Sequence, residues 1–448
     1  MLFVVSIICV YWFQPISTIR TLDFWLPSII LGLGLISWGY FFGKNNLLGK
    51  NTIQTISIIF ATIVLLGLSR LFAVDIIEQF VSVPKFHAVV IFILTVTITM
   101  LLLSKIEKSS KIVNILLLLA SFSILVILKY SPLTEKLSEL LRRINGQSVE
   151  LANAAEITWI GFSYFIFRLL HVFFEQKRFR SLEVSLKDFL IYLVFFPAFT
   201  AGPIARLDQF ISELNKNDTD NVKDELLSGG LRICKGLFYK FIIADSLAII
   251  SIGVVPADQV INGFWLLMMI YAFAIRIFMD FAGYTDISIG ISNLLGIKLP
   301  ENFERPYFAE NITIFWNRWH ITLTQWFRTY YFNPTVRFFR TLKFVLPSWL
   351  IIFFGQITTM LLIALWHGIS LNYIIWGIYN GLGLFIHNRW TELINPRVKN
   401  IKAFGTTWIG KSLSIFVTFN YISLGWVWFA SPDLDEALLI LKKLFGLH

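Results

Sequence analysis

Two histidines occupy settings where an imidazole does chemistry or must be hidden. His367 closes an apolar run in LLIALWHGISLNYIIWGIYNGLG, beside Trp366 and the helix-breaking Gly368, with no charged residue for many positions on either side. His320 lies 47 residues earlier, within FWNRWHITLTQWFRTYYFNP, among Asn317, Arg318, Gln325, Arg328 and many aromatic rings. A polar group at membrane depth is costly unless it is used or paired, which turns His367 toward function. For His320 a satisfied core histidine also fits the pattern. A histidine near its ordinary pKa serves as general base on a hydroxyl. The sequence holds no GxSxG elbow, no HExxH or CxxC spacing, no GxGxxG or Walker loop, and no Cys near a His, so serine-nucleophile, zinc-site and nucleotide-loop signatures are missing. Transfer of an activated acyl group to an alcohol needs only a base and two oriented substrates.

Further ionisable residues crowd the same half of the chain, in FAIRIFMDFAGYTDISIGISNLLGIKLPENFERPY. Arg276 and Asp280 stand four apart on one helical face, a spacing that predicts a helix-internal ion pair. Asp286 has no such neighbour and is expected to face a bundle interior or cavity. Gly283, Gly290 and Gly296 are expected to let helices approach closely. A proton path through Asp280, Asp286 and His367 would suit a polytopic transporter, but no internal repeat supports that class.

The elements that must position these residues are apolar helices. The 448 residues are 56% hydrophobic and only 15% charged, with mean hydropathy +0.70, whereas soluble domains carry about 25% charge. A span needs about 20 apolar residues and internally paired backbone, which helices provide. Candidate spans fall near 22–42, 53–74, 87–104, 112–130, 157–174, 186–203, 233–254, 263–279, 346–366, 371–387 and 407–429, about 11 in all, with a shorter apolar start at 1–13. The opening MLFVVSIICVYWF lacks a basic n-region and cleavage site and reads as part of the mature chain. The 15 Trp and 44 Phe exceed what interfacial belts require, so some rings are expected to line an internal feature. One compact helical domain is the simplest organisation.

The formal charge of +10 is spread over short loops such as GKNNLLGK, SKIEKSSK and EQKRFR. That is positive-inside bias, and no basic module for nucleic acid is gathered. Loop parity breaks near FFPAFTAGPIARL, where Pro197, Gly202 and Pro203 make a re-entrant segment the expectation. Cys9 and Cys234 sit in apolar surroundings and are expected to be buried thiols. In the His320 region, Phe315, Trp319, Leu323, Trp326 and Tyr330 follow helical spacing and predict one amphipathic helix with Asn311 as N-cap.

FMDFAGYTDISIGISNLLGIKLPENFERPY, FWNRWHITLTQWFRTYYF and LWHGISLNYIIWGIYNGLG occur in that order. Together they closely resemble the membrane-bound O-acyltransferase (MBOAT) family, nearest its bacterial branch that modifies alginate and teichoic acid. The likeness is strong over 270–390, moderate over GFSYFIFRLLHVFFEQKR and FFPAFTAGPIARLDQF, and weak over the first 150 residues.

The resemblance implies an all-α polytopic membrane domain over 1–448: N-terminal spans in 1–150, a family core over 157–390 and a C-terminal span and tail over 391–448. It maps the catalytic histidine onto His367 and the second characteristic histidine onto His320, and it makes Asn302, Arg318, Trp319, Asp286 and Trp366 candidates for the substrate tunnel. It further implies an acyl thioester donor, acetyl-CoA above all, with no bound cofactor and no metal. The acceptor it implies is a polysaccharide hydroxyl, reached through an extracytoplasmic acetyltransferase partner, in a bacterial inner membrane. The runner-up within the family is D-alanyl transfer to teichoic acid. Where alginate-type members carry Asp and then a Gly-rich turn, this chain has Thr329 and NPTVRFFRTLKF.

Overall fold

A computed structural model describes residues 1–43, 47–73, 84–106, 111–216, 222–260, 262–342, 346–393 and 405–447, without the side chains of 71–73, 111–114, 180, 181 and 222. Parts of the basic loops, 44–46 and 107–110, and the end of NPTVRFFRTLKF, 343 and 344, lie outside the described residues. The described residues are helical throughout, apart from loops and one isolated bridge between Ile252 and Val255. They form two compact units, Met1–Val222 with Leu295–Lys298, and Lys223–Leu294 with Leu299–His448.

Among the described residues six helices are long and apolar enough to cross a bilayer: Leu22–Phe42, Lys50–Arg70, Phe86–Lys105, Gly263–Leu294, Ser348–His367 and Trp408–Ala430. Ile115–Lys129 and Ser131–Ile144, bent by 95°, make a seventh if counted as one broken span. The other expected spans are shorter, interrupted or more polar. The 157–174 region contributes only Phe162–Phe174, the 186–203 helix stops at Val194, and the 233–254 region is broken by a π turn at Phe238–Ala244. Leu371–Leu393 is long enough, but it carries Asn372, Asn380, His387 and Arg389.

The first unit shows how an irregular segment survives in apolar surroundings. Beyond Val194 the chain makes one 3-10 turn, Phe196–Ala198, and stays non-helical to Leu207. The freed carbonyls of Tyr192, Leu193 and Ala198 accept from the Arg168 guanidinium at 3.3, 3.0 and 2.7 Å. Arg168 is buried, so a single fork of donors replaces the water this backbone lacks. His171 Nε2 accepts from the Leu207 N–H at 3.1 Å, pinning the next helix. A second knot joins Glu156 to Ser138 and Arg142, the latter through Nε at 2.8 Å.

The second unit carries the histidines. Its first long helices are called α1 (Val222–Leu237) and α2 (Gly263–Leu294). They pack glycine on glycine: a Cβ on Gly283 would lie 2.7 Å from the Gly236 carbonyl oxygen, and one on Gly290 2.8 Å from that of Gly229. Gly283 and Gly290 thus serve close packing as expected. Gly296 does not; it sits at φ +73° with open space around it, a turn position reserved for residues that tolerate the left-handed region.

The glycine contact brings α1 cations onto α2 carboxylates. Asp286 is buried and held by Arg232 Nε at 2.8 Å and Lys235 Nζ at 3.0 Å, while Arg232 also reaches Glu301 at 2.6 Å. The expected Arg276–Asp280 pair is not formed. Asp280 pairs with Lys240, and Arg276 donates to the Ser251 hydroxyl at 3.0 Å. Partners from neighbouring elements win because an i,i+4 pair is worth only about 0.2–0.5 kcal/mol. Cys9 is half-buried and Cys234 exposed, so the expectation of two buried thiols fails for Cys234.

The helices around the histidines follow as α3 (Ile312–Arg318), α4 (Ile321–Phe327), α5 (Asn333–Thr341), α6 (Ser348–His367), α7 (Leu371–Leu393) and α8 (Trp408–Ala430). The α6–α7 hairpin is again closed by glycine: a Cβ on Gly377 would meet the Ala364 methyl at 2.9 Å and the Met360 carbonyl at 3.0 Å.

Candidate active site

The sequence pattern predicts one helix from Phe315 to Tyr330, and the structure corrects this. Asn311 caps α3, accepting from the Ile314 N–H at 2.9 Å, but α3 stops at Arg318 and α4 begins only at Ile321. His320 occupies the break at φ 44°, in the left-handed region. The cause lies 18 residues upstream in IKLPENFERPY. The Asn302 backbone carbonyl accepts from the Ile321 N–H at 2.9 Å, and its side-chain oxygen accepts from the Thr322 N–H at 3.2 Å and the Thr322 hydroxyl at 2.9 Å. Glu304 N–H donates to the Arg318 carbonyl at 3.0 Å on the other side of the break. Asn302 therefore satisfies the first donors of α4, as a cap does from within the chain, and the helix cannot run through.

Held there, the His320 ring enters a cavity of about 220 Å³. Its floor and walls come from Phe281 and Asp280 on α2, Trp316 and Trp319 around the break, Trp366 and His367 at the end of α6, Trp376 on α7, and Trp426 and Phe429 on α8. His320 lies 4.8 Å from Phe281 and 6.3 Å from Trp366, ring centre to ring centre. His367 lies 4.6 Å from Trp366 and 4.9 Å from Phe429. Trp366 thus touches both imidazoles. His320 is 3% exposed, and neither of its ring nitrogens has a hydrogen-bond partner among the described residues. Burial, and then the nearness of His367, holds the His320 pKa well below the usual imidazole range. The ring is neutral, with one N–H to donate and one lone pair to accept.

A much larger cavity, about 1370 Å³, lies beside the chamber in the same unit. Arg232, Lys235, Arg305 and Arg318 line it together with Asp286, Glu301 and Glu304. Rings separate the two spaces. Phe278, Phe303 and Tyr307 face the large cavity and contact Trp319, which faces the chamber, at 6.2, 5.1 and 6.0 Å. One polar link crosses this wall, where Trp426 Nε1 donates to the Tyr307 hydroxyl at 3.1 Å, and Tyr307 itself donates to the Ala274 carbonyl at 2.6 Å.

The structure therefore sorts the sequence candidates into three groups. His320, His367, Trp319 and Trp366 share the chamber. Arg318 and Asp286 line the large cavity. Asn302 lines neither and acts on the backbone that carries His320. The chamber residues Trp376, Trp426 and Phe429 were not singled out from the sequence; the surplus of aromatic residues was the only sign of them.

The sequence profile of MBOAT, the membrane-bound O-acyltransferase family, matches residues 17–425. The teichoic acid D-alanyltransferase of Bacillus subtilis is 32% identical over 279 residues, covering 61% of this chain and 69% of that protein. The peptidoglycan O-acetyltransferase of Helicobacter pylori is 33% identical over 264 residues, 58% of this chain and 47% of that protein. The probable alginate O-acetylase AlgI of Pseudomonas aeruginosa is 29% identical over 296 residues, 64% of this chain and 51% of that protein. The aligned region thus spans about half the length of these last two relatives.

Proposed function

The chain belongs to the membrane-bound O-acyltransferase family, and from that premise we propose that it moves an acetyl group from a thioester donor, acetyl-CoA, toward a hydroxyl of an envelope or exported polysaccharide. In this reading His367 takes the proton from the acceptor hydroxyl as its oxygen attacks the thioester carbonyl carbon. The C–S bond then breaks, and the thiolate leaves as the thiol with the proton returned from His367. His320 donates its N–H to the carbonyl oxygen as negative charge develops there, a preorganised donor in a water-poor site. The observation that carries the reading is the pair of histidines on one aromatic chamber, with neither nitrogen of the buried His320 bonded to a described residue.

Support for the donor comes from the neighbouring cavity, where Arg305 and Arg318, beside the carboxylate-paired Arg232 and Lys235, could meet the phosphates of a CoA-type carrier. A separate extracytoplasmic acetyltransferase as the next recipient of the acyl group remains part of the proposal. So does the tunnel role of Trp319, Trp366, Arg318 and Asp286.

One observation favours a second reading, transfer of a D-alanyl group. The Asp280 carboxylate, paired with Lys240, borders the chamber and could exchange that partner for a substrate ammonium, and two relatives that this chain matches over more than two thirds of their length are named teichoic acid D-alanyltransferase. The test supplies membranes holding the chain with labelled acetyl-CoA or with a labelled D-alanyl carrier-protein thioester, and follows label into carbohydrate or protein. Label from acetyl-CoA supports acetyl transfer; label only from the aminoacyl carrier selects the second reading.

A further inference from the structure

A third space, of about 230 Å³, adjoins the chamber and takes no part in the reaction above. The two share Trp316, Thr324 and Ile363, and α6 sets their relation. His367 lines the chamber at the end of this helix, Ile363 one turn earlier lines both spaces, and Met360, Thr359 and Gln356 in the turns before line only the third. These positions recur every three or four residues and so share one face of the helix. The third space therefore runs on from the chamber along α6, where Gln356 lies about 16 Å from His367 at 1.5 Å per residue. Its surface is almost wholly apolar. The hydroxyl of Thr359 donates to the Gly355 carbonyl at 2.6 Å, that of Thr313 meets His387 Nδ1 at 3.1 Å, and Arg328 donates to the Asn317 side chain.

We propose that Ile363 sets the length of the acyl group this chain transfers. With the reacting carbonyl at His367, the alkyl end of the acyl group runs back along α6 and stops against the buried Ile363 side chain. At ~30 Å³ per water, the 220 Å³ of the chamber is the room of about seven, enough for a thioester head with a short alkyl end beside the attacking hydroxyl. A longer chain needs the apolar space beyond, and Ile363 bars the way. The barrier is firm. Ala364, its neighbour, is pressed against α7, where a Cβ on Gly377 would lie 2.9 Å from the Ala364 methyl, so the backbone behind Ile363 has nowhere to retreat. Opposite, Thr324 is held by its hydroxyl on the Trp319 carbonyl at 3.2 Å. One methylene too many in such a pocket is discriminated by about 10–200-fold. This proposal rests on the acyl-transfer reading and names what limits its donor.

Membranes holding wild type, Ile363→Val, Ile363→Ala, or Ile363→Ala combined with Leu384→Phe are supplied with labelled acetyl-, butyryl- and hexanoyl-CoA, and label is followed into carbohydrate or protein. Wild type is expected to favour acetyl over hexanoyl at least about a hundredfold. Ile363→Ala is expected to cut that ratio at least about tenfold, Ile363→Val to relax it for butyryl alone, and Leu384→Phe, which refills the space beyond, to restore it. A smaller side chain that merely loosens the fold lowers transfer from all three donors together and leaves the ratio unchanged, which overturns the proposal. Equilibrium dialysis of the purified full chain with the unreactive thioethers ethyl-CoA and hexyl-CoA reads the same discrimination without chemistry. Thioether binding in the expected order by a wild type that transfers from no acyl-CoA removes the reaction assigned above and leaves the role of Ile363 in place. Failure of both thioethers to bind wild type, or a hexyl-to-ethyl preference that Ile363→Ala leaves unchanged, overturns the proposal.

Discussion

The side chain of Asn302 accepts two hydrogen bonds from Thr322, one from its N–H at 3.2 Å and one from its hydroxyl at 2.9 Å. Both fall just past His320, and they fix the turn from which that ring enters the chamber. Asn302→Ala removes the acceptor of both bonds inside buried surroundings, at a cost of about 1–3 kcal/mol. It is expected to lower the thermal midpoint in detergent and to reduce turnover without weakening donor binding. Asn302→Asp keeps an acceptor in place and is expected to recover part of both. A midpoint and turnover that match wild type in the alanine variant would show that the break forms without this residue.

His367→Ala is expected to abolish acyl transfer while the chain inserts at wild-type level, since one half-buried ring contributes little to the packing of the unit. His320→Ala is expected to cost up to 10²–10⁴-fold, the range of positioned proton-transfer or hydrogen-bonding groups. Acyl incorporation from labelled donor, normalised to a quantitative membrane blot, measures both. Wild-type turnover in well-inserted His367→Ala would remove it as the base.

The glycines separate two kinds of constraint. Gly283→Ala places a methyl 2.7 Å from the Gly236 carbonyl oxygen, so α1 and α2 must part; overpacking of this sort costs about 1–3 kcal/mol. A lower thermal midpoint and reduced yield in detergent are expected. Gly296→Asn adds a Cβ with nothing within 4 Å and keeps a residue that tolerates positive φ, and a midpoint close to wild type is expected. Reversal of that order would contradict the close backbone approach.

Glu156 supplies a pH dependence with a defined sign. Its hydrogen bond from Arg142, more than those from Ser138 and Thr18, holds its pKa down to about 2, against about 4.3 for an ordinary glutamate. The folded state therefore favours the charged carboxylate, and this stabilisation is full above the unfolded value and fades as pH falls from about 4.3 toward 2. Wild type is expected to be more stable than Glu156→Gln at pH 7, with the gap closing over that acidic window. A gap that stays constant from pH 7 to pH 3 would exclude this origin.

What the sequence revealed and what it hid follow a physical division. The long apolar runs were legible because lipid demands length and composition, and Asn311 was legible as a cap because capping is local. The break at His320 was not, because its cause, Asn302, lies in another segment and helical spacing continues through the interruption. The pairing of Arg276 with Asp280 failed for the same reason, as Ser251 and Lys240 arrive from elsewhere in the chain. Arg168 attracted no notice within an apolar helix, although it holds three freed carbonyls. Family motifs located His367 and His320, but only packing could show that Trp366 adjoins both.

The paired glycines of α1 and α2 stand seven residues apart on each helix, at 229 and 236 and at 283 and 290. Seven residues are nearly two turns, so both contacts lie on one stripe, and Asp286 projects between them toward Arg232 and Lys235. Insertion or deletion of one residue inside either interval would turn everything beyond it by about 100°, separating the second glycine contact and the buried carboxylate from their partners in one step. Substitutions on the outward faces of these helices leave this register intact, whereas a change of length between the glycines destroys it.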